Sequence, residues 1–265
     1  MAVVVKVGGA PGNEIGGLLD ELAQDPSRYV LVHGGSDEVD RLAAALGTPS
    51  RYYTAPSGVV SRYTDEARME VVIRALAGTV QTRLVRELAA RGTRAVGLSG
   101  VDGGLVLARR KTGARAVENG RVVRLADDRS GSIESVRPDL VERLRGGGYL
   151  PVVGPPAITA EGEIVNVDAD RVAAAVAAAL RAEALVLLTN VGGLRRDPED
   201  PASLVARIDG TNREEALGWA QGRMHKKLRA ALEARAAGVP TVVVAASKGE
   251  RPVARALGGE GTVIA

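Results

Sequence analysis

Val3-Val4-Val5-Lys6-Val7-Gly8-Gly9 opens the chain with a β-branched run that delivers one lysine into a glycine pair. An apolar run of this kind suits a strand of a parallel sheet that is buried on both faces. A lysine at its end must meet an anion or face water, because a buried unpaired charge is costly. Glycines after the lysine let backbone N–H groups come close to phosphate oxygens. Taken alone, the seven residues fit a solvated lysine in an ordinary strand and turn equally well. The design, however, recurs. Tyr29-Val30-Leu31-Val32-His33-Gly34-Gly35-Ser36 is again strand, glycines and then a helix start at Ser36-Asp37-Glu38. Two glycine-rich strand ends point to a site for a polyanion or a carboxylated substrate.

Further strand-like runs cover 95–98, 149–153, 185–188 and 241–245, beside those at 3–7 and 30–33. Between them lie amphipathic segments at 37–46, 65–76, 80–91, 139–144, 168–180 and 224–237. This alternation predicts an α/β fold, a three-layer sandwich with a mainly parallel central sheet and helices on both faces. Right-handed crossovers would gather the glycine loops at the carboxyl edge of the sheet. Residues 105–110 with 121–125, and 158–165 across Glu161-Gly162, read as hairpins. Gly146-Gly147-Gly148 reads as a helix stop. A boundary near Pro155-Pro156 divides the chain into lobes of residues 1–156 and 157–265.

Composition narrows the chemistry. Cysteine is absent, which excludes disulfides, thiolate metal sites and a cysteine nucleophile. With only two histidines a histidine-built metal site is not expected, and no metal-binding residue is assigned. The net charge of +3 and 2 % aromatic content argue against nucleic acid and its base-stacking platforms. No apolar stretch reaches transmembrane length, and the first strand begins too early for a signal peptide. A cytoplasmic protein without membrane contact is therefore expected.

Three later segments add candidate site residues. In Asn166-Val167-Asp168-Ala169-Asp170, Asp168 reads as an N-cap and Asp170 as a first-turn acid favoured by the helix dipole. Capping leaves Asn166 unexplained; at a strand end its amide can donate to a ligand carboxylate, and Asp170 can hold a lysine ammonium. Thr189-Asn190-Val191-Gly192-Gly193-Leu194 is either a plain turn or a loop for a nucleotide base and ribose. Gly222-Arg223-Met224-His225-Lys226-Lys227 starts a helix with cations, against its macrodipole, so at least one of them is expected to meet an anion.

Taken together and in this order, these five segments resemble the amino acid kinase family, whose members phosphorylate carboxylates, carbamate or phosphates with ATP. The resemblance runs the whole chain and implies that family's fold. It implies that Lys6 and Lys227 bridge the phosphates and that Asp170 holds both lysines. Gly35, Ser36, Arg62 and Asn166 match the positions that grip the amino-acid substrate. Gly8 and Gly9, with Thr189, Asn190, Val191, Gly193 and Leu194, match those for ATP, and magnesium is expected to ride mainly on the nucleotide. The N-terminal lobe would then take the amino-acid substrate and the C-terminal lobe ATP, in a homodimer.

Within the family, the chain departs from acetylglutamate kinases, which carry a third glycine where Ser36 stands and usually asparagine where Asp168 stands. The segments 56–65, 99–103, 109–112 and 222–224 instead resemble a lysine-pathway branch. Its substrate is 2-aminoadipate attached through its amino group to the C-terminal glutamate of a small acidic carrier protein, LysW. Residues 109–124 bring Arg109, Arg110, Lys111, Arg115, Arg121 and Arg124 against the single acid Glu118. They form either a solvated hairpin or a basic face that steers an acidic partner, with Arg109, Arg110 and Lys111 as its docking residues. Carrier-bound glutamate, free acetylglutamate and a catalytically silent regulatory module are the remaining expectations.

Overall fold

Eight strands build the central sheet in the spatial order Arg207–Ile208, Thr262–Ile264, Thr241–Ala246, Ala184–Thr189, Val3–Val7, Tyr29–His33, Leu150–Gly154 and Ala95–Ser99. All neighbours are parallel except Thr241–Ala246 with Thr262–Ile264. The computed structural model describes residues 1–8, 14–56, 58, 60–118 and 120–265. Every strand run expected from the sequence enters this sheet. The sheet runs unbroken from the first 156 residues to the rest, because Val3–Val7 pairs with Tyr29–His33 on one side and Ala184–Thr189 on the other.

The first strand's period of two sorts its side chains between two cores. Val3, Val5 and Val7 pack with Leu18, Leu19, Leu22, Leu84 and Leu88 from the helices Gly16–Gln24 and Gln81–Ala89. Val4 faces the opposite core, formed with Ala173 and Ala177 of the helix Ala169–Ala179 and Leu228 and Ala231 of the helix Gly222–Ala236. Lys6 shares the face of Val4. Alternation alone thus aims this lysine at the starts of two helices that carry Asp170 and Lys227. With helices on both faces, the protein has the three-layer α/β architecture expected from the alternation of strands and helices.

Smaller elements cover the carboxyl edge. A four-stranded sheet orders Ile164–Val165, Ala157–Ile158, Val106–Arg110 and Gly131–Val136. The turn at Glu161-Gly162 joins an antiparallel pair as expected, Ala157 opposite Val165. The other expected hairpin does not form. Val106–Arg110 pairs with Gly131–Val136, whereas Arg121–Leu125 pairs with Ala114–Glu118. Both alternatives offer alternating patterns; Arg121–Leu125 takes Ala114–Glu118, its near neighbour in sequence, and the more distant Gly131–Val136 takes the vacated edge. The helix expected over 65–76 starts at Glu66, with Asp65 capping the N–H of Arg68. Past Ile73 it widens into a π-helical turn, Arg74–Val80, and continues as Gln81–Ala89. Leu76 and Val80 in that turn press on Gly35, where any Cβ would lie 2.8 and 2.9 Å from them, which is why the second loop needs glycine there.

Candidate active site

Asp170 sits in the first turn of Ala169–Ala179, 8 % exposed, and one oxygen, Oδ1, receives both lysines. Lys6 Nζ and Lys227 Nζ each lie 2.8 Å from it. Asp168 caps the same helix by accepting the N–H groups of Asp170 and Arg171, so the capping reading of that residue holds and Asp170 is left free for the ammonium groups. Burial opposes ionisation of Asp170, but the fields of Lys6 and Lys227 outweigh it and hold the carboxyl well below the usual carboxylate range. Lys227 is pushed down to about 8, by burial first and by the neighbouring Lys6 charge second, against the pull of Asp170. Two ammonium groups share one carboxylate, so the trio carries a surplus positive charge in a poorly solvated place. An entering anion relieves that cost.

The trio lies in a cleft of about 810 Å³ at the carboxyl edge of the sheet. Its lining carries Lys6, Arg62, Lys111, Arg171, Arg223, Lys226 and Lys227 against Asp168 and Asp170. That excess of cations fits a nucleoside triphosphate together with a carboxylated substrate. Among the described residues no group of three or more acids or histidines could hold a metal ion. Gly8, Gly35, Ser36, Asn166, Thr189 and Asn190 also line the cleft, so segments remote in sequence converge there. Gly9 lies outside the described residues. Gly193 and Leu194 turn inward instead: Leu194 is 2 % exposed, and its N–H donates to Thr262 Oγ1 at 2.9 Å. At φ +152 and with that hydroxyl 2.5 Å from any Cβ, Gly193 tolerates no side chain; Val191 is not among the lining residues.

On the side of the first 156 residues, Arg62 projects from the hairpin Arg51–Thr54 with Val60–Tyr63. Asp40 and Ser50 engage its Nη1, its Nη2 donates to the Ser36 carbonyl at 3.1 Å, and its guanidinium lies 4.9 Å from the Tyr52 ring centre. Asn166 Nδ2 donates to Thr64 Oγ1 at 3.3 Å, and Thr64 is fixed in turn by its N–H to Asp128. None of Asp40, Ser50, Thr64 or Asp128 was indicated by the sequence; each matters through a partner far along the chain, which leaves no local pattern to read. The three helix-start cations all find partners. Lys227 meets Asp170, Arg223 meets Asp37 at 3.1 Å, and Lys226 Nζ donates to the Val60 carbonyl at 2.7 Å. The last two bridge the two walls of the cleft.

His33, at the end of the second strand, is pushed down to about 4 by burial and is therefore neutral at physiological pH. Its Nε2 lies 3.5 Å from the Gln81 amide. The basic stretch is divided by its pairing. Arg109 meets Glu134 at 3.1 Å and Arg110 meets Glu163 at 3.3 Å, while Lys111 lines the cleft. Arg115 and Arg124 stand opposite each other on the outer hairpin.

Three comparisons bear on this site. Residues 1–246 match the model of the amino acid kinase family. The chain is 47 % identical to LysW-aminoadipate kinase of Deinococcus radiodurans, over 99 % of this chain and 91 % of that relative. It is 45 % identical to LysW-aminoadipate kinase of Thermus thermophilus, over 99 % of each. It is also 38 % identical to acetylglutamate kinase of Methanopyrus kandleri, over 98 % of this chain and 99 % of that one.

Proposed function

The chain belongs to the amino acid kinase family, and from that premise we propose that it phosphorylates 2-aminoadipate carried on LysW, using ATP. The product is an acyl phosphate of lysine biosynthesis. The observation that carries phosphoryl transfer is the pair of buried ammonium groups on one carboxylate oxygen of Asp170. The carrier-bound substrate is supported by the two relatives of that name, which are closer in sequence than the acetylglutamate kinase.

The side-chain carboxylate of aminoadipate, ionised near neutrality, attacks the γ-phosphorus directly, and ADP leaves. No general base is required, in keeping with a neutral, buried His33. Lys6 and Lys227 stabilise the charge on the transferred group and the β-phosphate, and Asp170 keeps both aimed. The work of the chain is positioning and charge stabilisation. Magnesium, carried in with the nucleotide, would supply further neutralisation of phosphate charge. Arg62 takes the α-carboxylate of aminoadipate with its fork held by Asp40, and Gly35, Ser36 and Asn166 complete that wall. Gly8, Gly9, Thr189 and Asn190 line the nucleotide side, and Gly193 and Leu194 act there by shaping the loop. The first 156 residues thus serve mainly the carried amino acid and residues 157–265 mainly ATP, with Asn166 reaching the amino-acid wall and Gly8 and Gly9 the nucleotide side from across that division.

An acidic carrier would dock over the basic strand and hairpin. Arg109 and Arg110 are each engaged by a carboxylate already, so Lys111, Arg115 and Arg124 carry more of that role. We place the enzyme in the cytoplasm as a homodimer; no helix among the described residues is long and apolar enough to cross a membrane. Trapping with hydroxylamine tests the reading. Carrier-bound aminoadipate with ATP should give a hydroxamate and an equal amount of ADP. Hydroxamate from acetylglutamate alone would assign the protein to arginine synthesis, and none from any carboxylate would leave a binding module.

A further inference from the structure

Among the described cations that line the cleft, Lys111 alone has neither an ion pair nor a side-chain hydrogen bond. Lys6 and Lys227 share Asp170, Arg62 is held by Asp40, and Arg171 meets Glu233 at 2.7 Å. Arg223 and Lys226 bridge the cleft walls. Lys111 follows the strand Val106–Arg110, and its N–H donates to the Ser130 carbonyl at 2.8 Å. Ser130 bridges in turn to Asn166, so Lys111 stands on the amino-acid side of the cleft. Lys111 is an exposed residue of the cleft lining, and its ammonium is held below the usual lysine range by desolvation first and by Arg171 and Lys226 as well, with Asp128 and Asp168 acting the other way. An unpaired ammonium beside like charges is poised for an anion that the chain itself does not supply.

We propose that Lys111 is a specificity-determining residue that binds a carboxylate present only in the carrier-linked substrate. The inference rests on the carrier reading above and deepens it. A C-terminal glutamate has two carboxyl groups. When one forms the amide with the amino group of aminoadipate, the other stays ionised a few bonds away. An acetyl group in the same position has no such charge. The bound substrate then presents three carboxylates in sequence: the reacting one toward Lys6 and Lys227, the α-carboxylate toward Arg62, and the glutamate carboxylate toward Lys111. Arg109 and Arg110, adjacent in sequence, are already neutralised by Glu134 and Glu163 and do not compete for it.

The test uses the full chain with two synthetic acceptors, acetylated glutamyl-aminoadipate and the same dipeptide with its free glutamate carboxyl capped as the carboxamide. For the wild type, kcat/KM should be about three- to tenfold higher for the carboxylate, mostly through KM, as expected of one partly exposed charge pair. In Lys111→Gln the two dipeptides should become equal, and Lys111→Arg should restore the preference. KM for ATP should stay within about twofold throughout. A preference that persists in Lys111→Gln overturns the inference and leaves the carrier reading standing. Turnover of acetylglutamate with neither dipeptide accepted overturns the carrier reading and the inference with it.

Discussion

The Lys6–Asp170–Lys227 group and the basic stretch from Arg109 to Arg124 are both cationic, and burial sets them apart. In the first, each ammonium is 8 % exposed and 2.8 Å from a single oxygen, so its charge is little screened and has one direction in which to act. In the second, Arg109 is 73 % exposed beside a half-exposed Glu134, where a pair contributes at most about 1 kcal/mol and salt weakens it. The same residue types thus serve different ends. Buried charge stabilises a reaction and fixes geometry; exposed charge steers and selects.

The contrast breaks most visibly at Asp170. Asparagine is acceptable in a first turn, but here it would leave two buried ammonium groups unmatched. Asp170→Asn should lower kcat by about two to three powers of ten and lower stability by about 3–5 kcal/mol, read by steady-state kinetics and denaturant melts. Adding Lys227→Met should recover much of the stability and none of the activity. Recovery of both would make Asp170 a structural residue only. Lys227→Ala alone should cost a comparable factor in kcat with a much smaller change in ATP affinity, and an unchanged kcat would pass the role to Lys226.

A titration sharpens the same point. Lys227, near 8 in the free protein, is charged below that pH and loses its proton above it. The free-enzyme kcat/KM for ATP should therefore fall about tenfold per pH unit above 8. Bound phosphates favour the ammonium form, so the same limb in kcat should move to higher pH. Lys227→Arg stays protonated and should lose the limb even if slower overall; a limb that survives belongs to another group.

Arg62 lies near the buried extreme, its side chain 10 % exposed, but its partner Asp40 reaches solvent. Arg62→Lys removes the fork and should raise KM for the amino-acid substrate about tenfold while leaving KM for ATP alone. Equal rises in both would contradict its placement. Replacing the exposed Arg109 and the less exposed Arg110 together by glutamine should change kcat/KM for the carrier substrate by less than about threefold, since each is already paired. A larger loss would show that docking separates them from Glu134 and Glu163.

Much of this was readable in the chain. Parallel strands buried on both faces write themselves as continuous Val and Leu runs, and period two already put Lys6 opposite the Val3, Val5 and Val7 face. Convergence of the glycine loops followed from strand–helix alternation and handedness, and the family resemblance added Asp170 and Lys227 to that edge. What stayed hidden depended on distant partners. The outer hairpin was misread because Val106–Arg110 offers the same alternation to two candidate strands. The grip of Asp40 and Ser50 on Arg62, and of Asp128 on Thr64, joins residues that share no local spacing. The π-helical turn at Arg74–Val80 has no periodic signature of its own, and Gly35 shows its consequence only once Leu76 and Val80 are seen against it.

The central claim, that this cleft phosphorylates a carried amino acid, is tested most directly by competition. Purified protein is given ATP, hydroxylamine, carrier-bound aminoadipate, carrier-bound glutamate and acetylglutamate in one reaction, and the hydroxamates are separated by mass. The account predicts that carrier-bound aminoadipate supplies most of the product and that acetylglutamate supplies about a hundredth or less. Acetylglutamate hydroxamate as the major product would contradict it.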